Sequence, residues 1–189
     1  RLKLLSLPVV QKELRLNSRQ LDGMTKLMNQ AKTIDRSMVL KVRKDPAGVN
    51  DAEARKRLMP LVNQVRKQLL SFDTALVELL SPNQLEDLLS LQIFLAGTQS
   101  LTDREIGFCL SLNKDTTKEI IAEFDKVQSD HTLSDRSEAA SFAAWLELEK
   151  LRFDAARNLL SKSQLAEFER LKLRGKQIFS RIDFSKIKL

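Results

Sequence analysis

Apolar residues recur at intervals of three and four along most of the chain. One such stripe runs from Leu21 to Val42, and a second runs from Leu58 to Leu79. This spacing places the apolar side chains on one face of an α-helix. The turn sequence DPAG at 45–48 separates the two stripes, so we expect two long antiparallel helices joined as a hairpin.

Residues that can cap a helix precede several of the apolar stripes. In the sequence LSPNQL at 80–85, the Ser81 hydroxyl can accept from the backbone N–H of Gln84, whose side chain can reach back to Ser81. This reciprocal pair is a capping box, and Pro82 suits the first helical position. Similar sequences occur at 16–21 (LNSRQL) and 160–165 (LSKSQL), with a weaker copy at 112–117 (LNKDTT). Four helices are therefore predicted to begin at these places.

Other boundaries follow from the same kinds of signal. The sequences NDAE at 50–53 and LTDREI at 101–106 are two further capping boxes. Gly97 is a predicted C-terminal residue for the helix that begins at Pro82. Because proline removes a backbone donor and crowds the preceding turn, Pro60 predicts either a kink near 56–60 or a short segment that ends there.

The C-terminal third of the chain is less regular. A helix beginning at Ser134 or Asp135 has two apolar faces, which implies two neighbouring elements or one element and a partner chain. The last predicted helix is capped by Ser161 and has the apolar stripe Leu165, Phe168, Leu171 and Leu173 before Gly175. The tail 179–189 carries apolar residues without a helical stripe, and it is docked or disordered. Docking is favoured because apolar side chains are costly to leave in water.

Together these patterns predict an all-α protein of about six to seven helices, elongated, with one long antiparallel hairpin and shorter helices. Five Gly, four Pro and no Tyr agree with a helical chain. We expect one helical domain over 1–189, with the hairpin in 1–80, the C-terminal helices in 81–178 and the tail after them. No uncharged apolar run reaches about 18 residues, so a membrane span is not expected.

The net charge of +7 is unevenly distributed. Lys and Arg outnumber Asp and Glu in residues 1–70 and again in 166–189, whereas acidic residues are in excess in 71–165. One interpretation is a basic surface for an anionic partner; the other is neutralisation within the fold or across a dimer. The basic segments lack interleaved aromatic residues and the middle is acidic, so nucleic acid is not an expected partner.

Catalytic and metal-binding patterns are weak. His131 is the only histidine, and Cys109 lies in an apolar stretch typical of a small buried hydrophobe. Asp130 and His131 near Glu123 could contact a metal, but a lone histidine with loop carboxylates is more often a solvated turn. We therefore predict no catalytic residues, no metal site and no cofactor, and we expect a protein that is not an enzyme.

The repeated Leu-(Ser/Asn)-x-x-Gln sequences resemble the LTxxQ motif of the Spy/CpxP-like family of bacterial periplasmic proteins. The similarity is strongest where LSPNQ at 80–84 is followed by LQI at 91–93, Gly97 and LTDREI at 101–106. The opening PVVQKELRL at 8–16 is also similar to the start of longer, uncharacterised members. Gly175-Lys176 together with Phe179 is similar to the C-terminal end of those members. Ser or Asn replaces the Thr of the motif, and Thr116 replaces a third Gln.

This resemblance implies an all-helical, exported protein, often a dimer, that acts without ATP as a chaperone or as a sensor of envelope or metal stress. The chain begins at Arg1, which a removed signal peptide or a trimmed sequence would explain. Family members hold unfolded clients on a basic, partly apolar face. The matching residues here are Met24, Met28, Met38, Lys41, Arg43, Lys44, Arg55, Lys56, Arg57, Arg66 and Lys67, beside Met59.

Two alternatives remain open for this surface. Methionine is adaptable and suits promiscuous contacts, but at helical spacing it also fills cores. The chain could equally be a structural or regulatory module that binds one folded partner or a second copy of itself and holds no clients. The sequence predicts a protein-binding function without naming the partner.

Overall fold

A computed structural model describes residues 1–43, 52–130 and 138–183. These residues form nine α-helices and one 3-10 helix, with no strand among them. The α-helices are α1 (Leu2–Leu5), α2 (Pro8–Glu13), α3 (Ser18–Arg43), α4 (Ala52–Leu79), α5 (Pro82–Ala96), α6 (Arg104–Cys109), α7 (Lys114–Asp130), α8 (Glu138–Leu159) and α9 (Lys162–Arg181). The all-α prediction is confirmed; six of these helices have 15 or more residues, and α1, α2 and α6 are short. None of the described helices is long and apolar enough to cross a membrane.

The chain divides into two compact units. The first contains residues 1–85 and, of the described C-terminal residues, Asp183. The second contains residues 86–182, and the boundary lies within α5. Each unit contains one pair of long, consecutive helices in contact, α3 with α4 and α7 with α8. The expected single domain over 1–189 stays a prediction.

The hairpin of the first unit is antiparallel. A Cβ atom added at Gly23, near the start of α3, would lie 2.7 Å from a methyl carbon of Leu79, the last residue of α4. Helix α4 continues through Pro60, so the alternative of a segment ending there is wrong, and the kink stays a prediction. The capping box predicted at 50–53 extends outside the described residues. The core of this unit contains Leu5, Val10, Leu14, Met24, Phe72, Leu76 and Leu80.

The hairpin of the second unit is also antiparallel. The Gln164 side chain, in the first turn of α9, donates to the backbone carbonyl of Ser111, just before α7, at 3.1 Å, so the end of α8 lies near the start of α7. The 3-10 helix Gly97–Thr102 packs against both α7 and α8. The first apolar face predicted for α8 includes Ala156 and the second includes Leu148, and both residues are buried. The start predicted for α8 at Ser134 or Asp135 lies outside the described residues.

Three capping boxes form as predicted. Gln20 Oε1 accepts from the Asn17 N–H at 3.0 Å, and the Asn17 side chain accepts from the Gln20 N–H at 3.0 Å. The Ser81 and Gln84 pair has the corresponding distances of 2.9 and 3.3 Å, and the Ser161 and Gln164 pair has 2.9 and 3.2 Å. Each box satisfies backbone donors that the first helical turn leaves without partners.

The capping box predicted at 101–106 does not form, because the cap of α6 lies one residue later and its N3 residue, Ile106, has no polar side chain to complete a box. Asp103, not Thr102, is the N-cap of α6, and its carboxylate accepts from the backbone N–H groups of Glu105 and Ile106 at 3.0 and 3.2 Å. Thr102 instead ends the 3-10 helix, where its hydroxyl donates to the Gln99 carbonyl at 2.9 Å. Gly97 has a positive φ of 59° and follows the last residue of α5, as predicted.

The two units repeat one sequence of elements. Arg15 and Ser111 both have a left-handed backbone, with φ of 53° and 52°, and each lies two residues before an Asn cap. Buried residues recur at the same interval of 96 positions. The corresponding pairs are Leu5 and Leu101, Val10 and Ile106, Leu14 and Leu110, and Met24 and Ile120. A short helix, a left-handed turn, a capped helix and its antiparallel partner therefore occur twice.

Several burial and boundary predictions were wrong. Helix α9 continues to Arg181, beyond the predicted end of the C-terminal helices at 178, so residues 179–181 of the predicted tail are helical. The Phe179 ring lies 5.1 Å from that of Phe94, and Ile182 is buried, whereas residues 184–189 lie outside the described part. Cys109 is exposed because the buried face of α6 is formed by Ile106 and Gly107.

Candidate protein-binding surface

The predicted binding residues of the first unit are only partly at the surface. Met24, a residue of α3, is fully buried, so its assignment to an exposed binding face was wrong. It occupies the core position that Ile120 occupies in the second unit. Met28 is partly buried, and Lys67 is exposed. Met24 therefore fills the core, and Lys67 remains available to a partner.

The other predicted binding residues are known only by their backbone or not at all. Their side chains lie outside the described part of the structure: Met38, Lys41, Arg43, Lys44, Arg55, Lys56, Arg57 and Arg66. All of them except Lys44 belong to α3 or α4. Whether they form one basic face therefore stays a prediction.

Among the side chains of α4 that the structure describes, two large apolar ones are exposed. Met59 is 51% exposed and Leu70 is 40% exposed. Asn63 and Lys67, at intervening positions, are also exposed. Steps of four, four and three residues keep a helix on one side, so these four residues form one continuous strip, the α4 outer face.

The α4 outer face is turned away from the core of its own unit. Phe72 and Leu76, which are 8% and 1% exposed, lie on the other side of the same helix. Met59 and Leu70 are therefore not required by the core and leave apolar area in water. Leu70 was missed by the sequence prediction, although its position outside the three-four stripe of α4 was a usable signal.

The chemistry of this strip suits contact with a polypeptide. The Met59 side chain is unbranched and polarizable, so it can adjust to differently shaped apolar partners. Lys67 adds a positive charge on a long flexible stem, and the Asn63 amide can donate and accept hydrogen bonds. Such a surface can bind apolar segments that carry acidic residues.

The second unit exposes apolar residues in other places. Among its described residues the most exposed are Phe108 at 81%, Leu173 at 58%, Leu146 at 48%, and Leu95 and Trp145 at 43% each. Leu173 was predicted on the buried stripe of α9, but the core contacts of that helix are made by Phe168, Leu171 and Ile178. Single exposed apolar residues are common on protein surfaces. They therefore provide comparison sites for α4.

Helices α5 and α9 are linked by a network of ion pairs. Arg170 donates to Glu86 at 2.6 Å and to Glu167 at 2.7 Å, and Arg174 donates to Asp87 at 2.6 Å. The hydrogen bond from Arg170 lowers the pKa of the Glu167 carboxyl below its usual value. Hydrogen bonds to Glu167 and Glu86 raise the pKa of Arg170. This network joins the two helices electrostatically.

Metal-ligand chemistry has no cluster to support it in the described ranges. No three His, Cys, Asp or Glu residues come close enough there to hold a metal ion. Glu123 and Asp130, considered as metal contacts, lie on α7, and His131 is outside the described residues. The pKa shifts of Glu167 and Arg170 follow from their mutual ion pair and need no catalytic explanation.

No protein-family model, no curated protein and no solved structure matches this chain.

Proposed function

We propose that this chain binds other proteins through the α4 outer face and holds unfolded or partly folded clients there without enzymatic chemistry. The observation that supports the proposal most directly is the exposure of Met59 and Leu70 on the side of α4 opposite the core. The resemblance of the capping sequences to the LTxxQ motif favours the same function. It also favours a periplasmic or otherwise exported location and a role in envelope stress.

The size of the strip fits weak and reversible binding. Removing apolar surface from water contributes about 25 cal/mol per Å², so covering two side chains that are only half exposed stabilises a complex modestly. Lys67 can attract acidic segments, but an exposed charge contributes little affinity and is weakened by salt. A holding protein must release its client, and moderate affinity allows release without an energy source.

The proposal is tested by aggregation of a reduced or heated client protein followed by light scattering. The full chain at several-fold molar excess is expected to suppress aggregation. The double variant Met59→Glu, Leu70→Glu should lose most of this suppression, because it places two charges in the apolar strip. The variant Leu173→Glu is a matched control, because it changes an exposed apolar residue of α9.

Two outcomes would contradict the proposal. Absence of protection by the unmodified chain would exclude client holding under the conditions used. Equal loss of aggregation suppression in the double variant and in Leu173→Glu would show that α4 has no special role. Each variant should remain helical by circular dichroism, since the substituted side chains are exposed.

A second candidate is self-association through the same strip. Helix α4 has 28 residues and is therefore about 42 Å long, enough for a helix pair between two copies. A dimer formed there would cover Met59 and Leu70 and leave no room for clients. Light scattering distinguishes the two functions: a dimer that the Met59→Glu, Leu70→Glu variant dissociates, without client protection by either protein, favours the structural module.

A further inference from the structure

A small pocket lies between the 3-10 helix, α7 and α8 of the second unit. Its volume is about 260 Å³, somewhat smaller than the pockets of about 300 Å³ and more that hold drug-sized ligands. The residues that line it are Gln99, Thr102, Ile121, Phe124, Asp125, Gln128 and Arg152. One wall is apolar, and the rest combines amides, a hydroxyl and two charged groups.

The guanidinium of Arg152 is held in place at this pocket. Its Nη2 donates to Gln128 Oε1 at 2.8 Å, and its central carbon lies 5.8 Å from the centroid of the Phe124 ring. The Nε atom is buried, and within the described part of the chain it has no hydrogen-bond partner. Because Nε is enclosed, a ligand carboxylate would bind the terminal Nη groups, and a planar, fixed guanidinium presents these in a geometry that suits a carboxylate.

The first unit has no arginine at the corresponding position of its hairpin. Arg152 lies nine residues before the Ser161 cap, and Phe72 lies nine residues before the Ser81 cap. Phe72 is 8% exposed and belongs to the core of the first unit. One helical turn later, Leu76 of the first unit corresponds to the smaller Ala156. The second unit thus has a cation and a smaller neighbour where the first has two large apolar side chains.

The other lining residues indicate what the ligand carries besides its charge. Ile121 and Phe124 supply apolar surface, and Gln99 and Thr102 add polar groups to the lining. Gln99 Nε2 donates to the Thr102 hydroxyl at 3.4 Å, a long bond that a ligand oxygen can replace. The Asp125 carboxylate repels an anionic ligand unless the ligand also places a cationic group near Asp125.

We propose that this pocket binds a small organic carboxylate with a short apolar body, its carboxylate on Arg152 and its body against Ile121 and Phe124. The same chemistry occurs in simple carboxylic acids and in apolar amino acids. In an amino acid, the ammonium group would pair with Asp125. The site belongs to the second unit and does not depend on the proposed function of α4.

Calorimetric titration of the full chain tests the site with three probes of one shape: 3-phenylpropionate, L-phenylalanine and the neutral 3-phenylpropanamide. At least one of the two carboxylates should bind, and the amide should bind about tenfold more weakly or not at all. Tighter binding of L-phenylalanine would assign the ammonium to Asp125, whereas tighter binding of 3-phenylpropionate would assign a simple acid. Equal binding of the amide, or no binding of either carboxylate at about 10 mM, would overturn the proposal.

Variants at two arginines of α8 complete the test. Arg152→Phe installs the residue that the first unit has at this position, so it should remain folded and lose carboxylate binding by about tenfold or more. Arg152→Gln removes the charge with less change of volume and should lose binding as well. Arg157→Gln removes a charge from an exposed position on the same helix and should leave the affinity unchanged. Binding retained in a folded Arg152 variant would contradict the proposal.

Discussion

The side-chain amides of Gln20 and Gln84 bind each other as well as their own helix starts. Gln20 Nε2 donates to Gln84 Oε1 at 2.7 Å, and Gln84 Nε2 lies 3.3 Å from Gln20 Oε1. Gln20 also donates to the Leu79 carbonyl at 3.0 Å, and Gln84 donates to the Leu14 carbonyl at 3.1 Å. Each glutamine therefore caps one helix and also binds the carbonyl at the end of the helix that precedes the other box.

Replacing Gln84 by Glu should destabilise the first unit. The carboxylate keeps an acceptor for the Ser81 N–H but loses the donor that serves Leu14 and Gln20. Leaving such partners unsatisfied costs about 1–3 kcal/mol. Urea denaturation followed by circular dichroism would measure the loss.

The matched control for this change is Gln164→Glu in the second unit. Gln164 donates to Ser111 at an exposed site, where water can replace the bond. The Gln164→Glu substitution should lower the free energy of unfolding by less than the Gln84→Glu substitution does. A larger loss at Gln164 would contradict the cooperative role of the Gln20 and Gln84 pair.

Glycine at Arg15 should be tolerated better than alanine. Arg15 has a φ of 53°, and a left-handed backbone costs residues with a Cβ about 1–2 kcal/mol. Arg15→Gly relieves this cost but increases the entropy of the unfolded chain, whereas Arg15→Ala retains the strain. We expect the glycine variant to be more stable than the alanine variant by about 1 kcal/mol in thermal unfolding.

The same pair of variants at Ser111, whose φ is 52°, is an independent check. If the turns in the two units are equivalent, the glycine variant should be more stable than the alanine variant at both positions. Equal stability of the two variants at both positions would show that the left-handed turn is not maintained in solution.

Replacing Gly175 by Ala should be strongly destabilising. A Cβ atom there would overlap the Ser90 carbonyl and approach Phe94 Cβ to 2.8 Å. Because the obstacle includes backbone, α5 and α9 would have to separate. Overpacking of this kind costs about 1–3 kcal/mol or more. Thermal unfolding measures the effect.

Gly107→Ala is the matched control. The nearest atoms to its new Cβ would be Leu112 carbons at 3.9 Å, an ordinary contact distance. Alanine favours helix over glycine by up to about 1 kcal/mol, so this variant should be neutral or more stable. Equal destabilisation by both variants would contradict the close approach of Gly175 to Ser90.

The ion pair between Arg170 and Glu167 should contribute stability that disappears in acid. Because the folded pKa of Glu167 is lowered, its contribution is fully present above the pKa of the unfolded state and is lost as the pH falls through the folded pKa. The side chains are 50% and 38% exposed, so the contribution should not exceed about 1 kcal/mol. Arg170→Met should reduce stability at neutral pH, and its effect should diminish as the pH falls through the folded pKa of Glu167.

Urea denaturation of both proteins at several pH values measures this difference. An effect of the substitution that is independent of pH would show that Arg170 stabilises α9 through the packing of its stem. High salt should also reduce the difference at neutral pH, since partly exposed charges are screened.

The helix starts could be predicted because they depend on local chemistry. The boxes at Asn17, Ser81 and Ser161 need only side chains three residues apart, and all three form. Asp103 replaced Thr102 as a cap because a carboxylate one residue later also reaches two amides, and Gln92 donates to it at 3.1 Å. Competing caps in adjacent positions are decided by such neighbours.

Burial and the candidate sites depended on contacts between distant residues. The stripe of α9 placed Leu173 with the core, although the neighbouring helix contacts the Gly175 side instead. The pocket at Arg152 requires α7, α8 and the 3-10 helix to be placed together, and local patterns do not contain that information. The exposed Leu70 was the exception, because a leucine outside its helix stripe already indicated a second face.

Uncharged amides join the helix ends of the first unit, and this has a consequence for its tolerance of the surroundings. Neither Gln20 nor Gln84 can gain or lose a proton, and their mutual bond carries no net charge for ions to weaken. Acidification or salt shock that loosens carboxylate caps leaves such a junction closed. The junction of the first unit should therefore persist under conditions that weaken the ion pairs between α5 and α9.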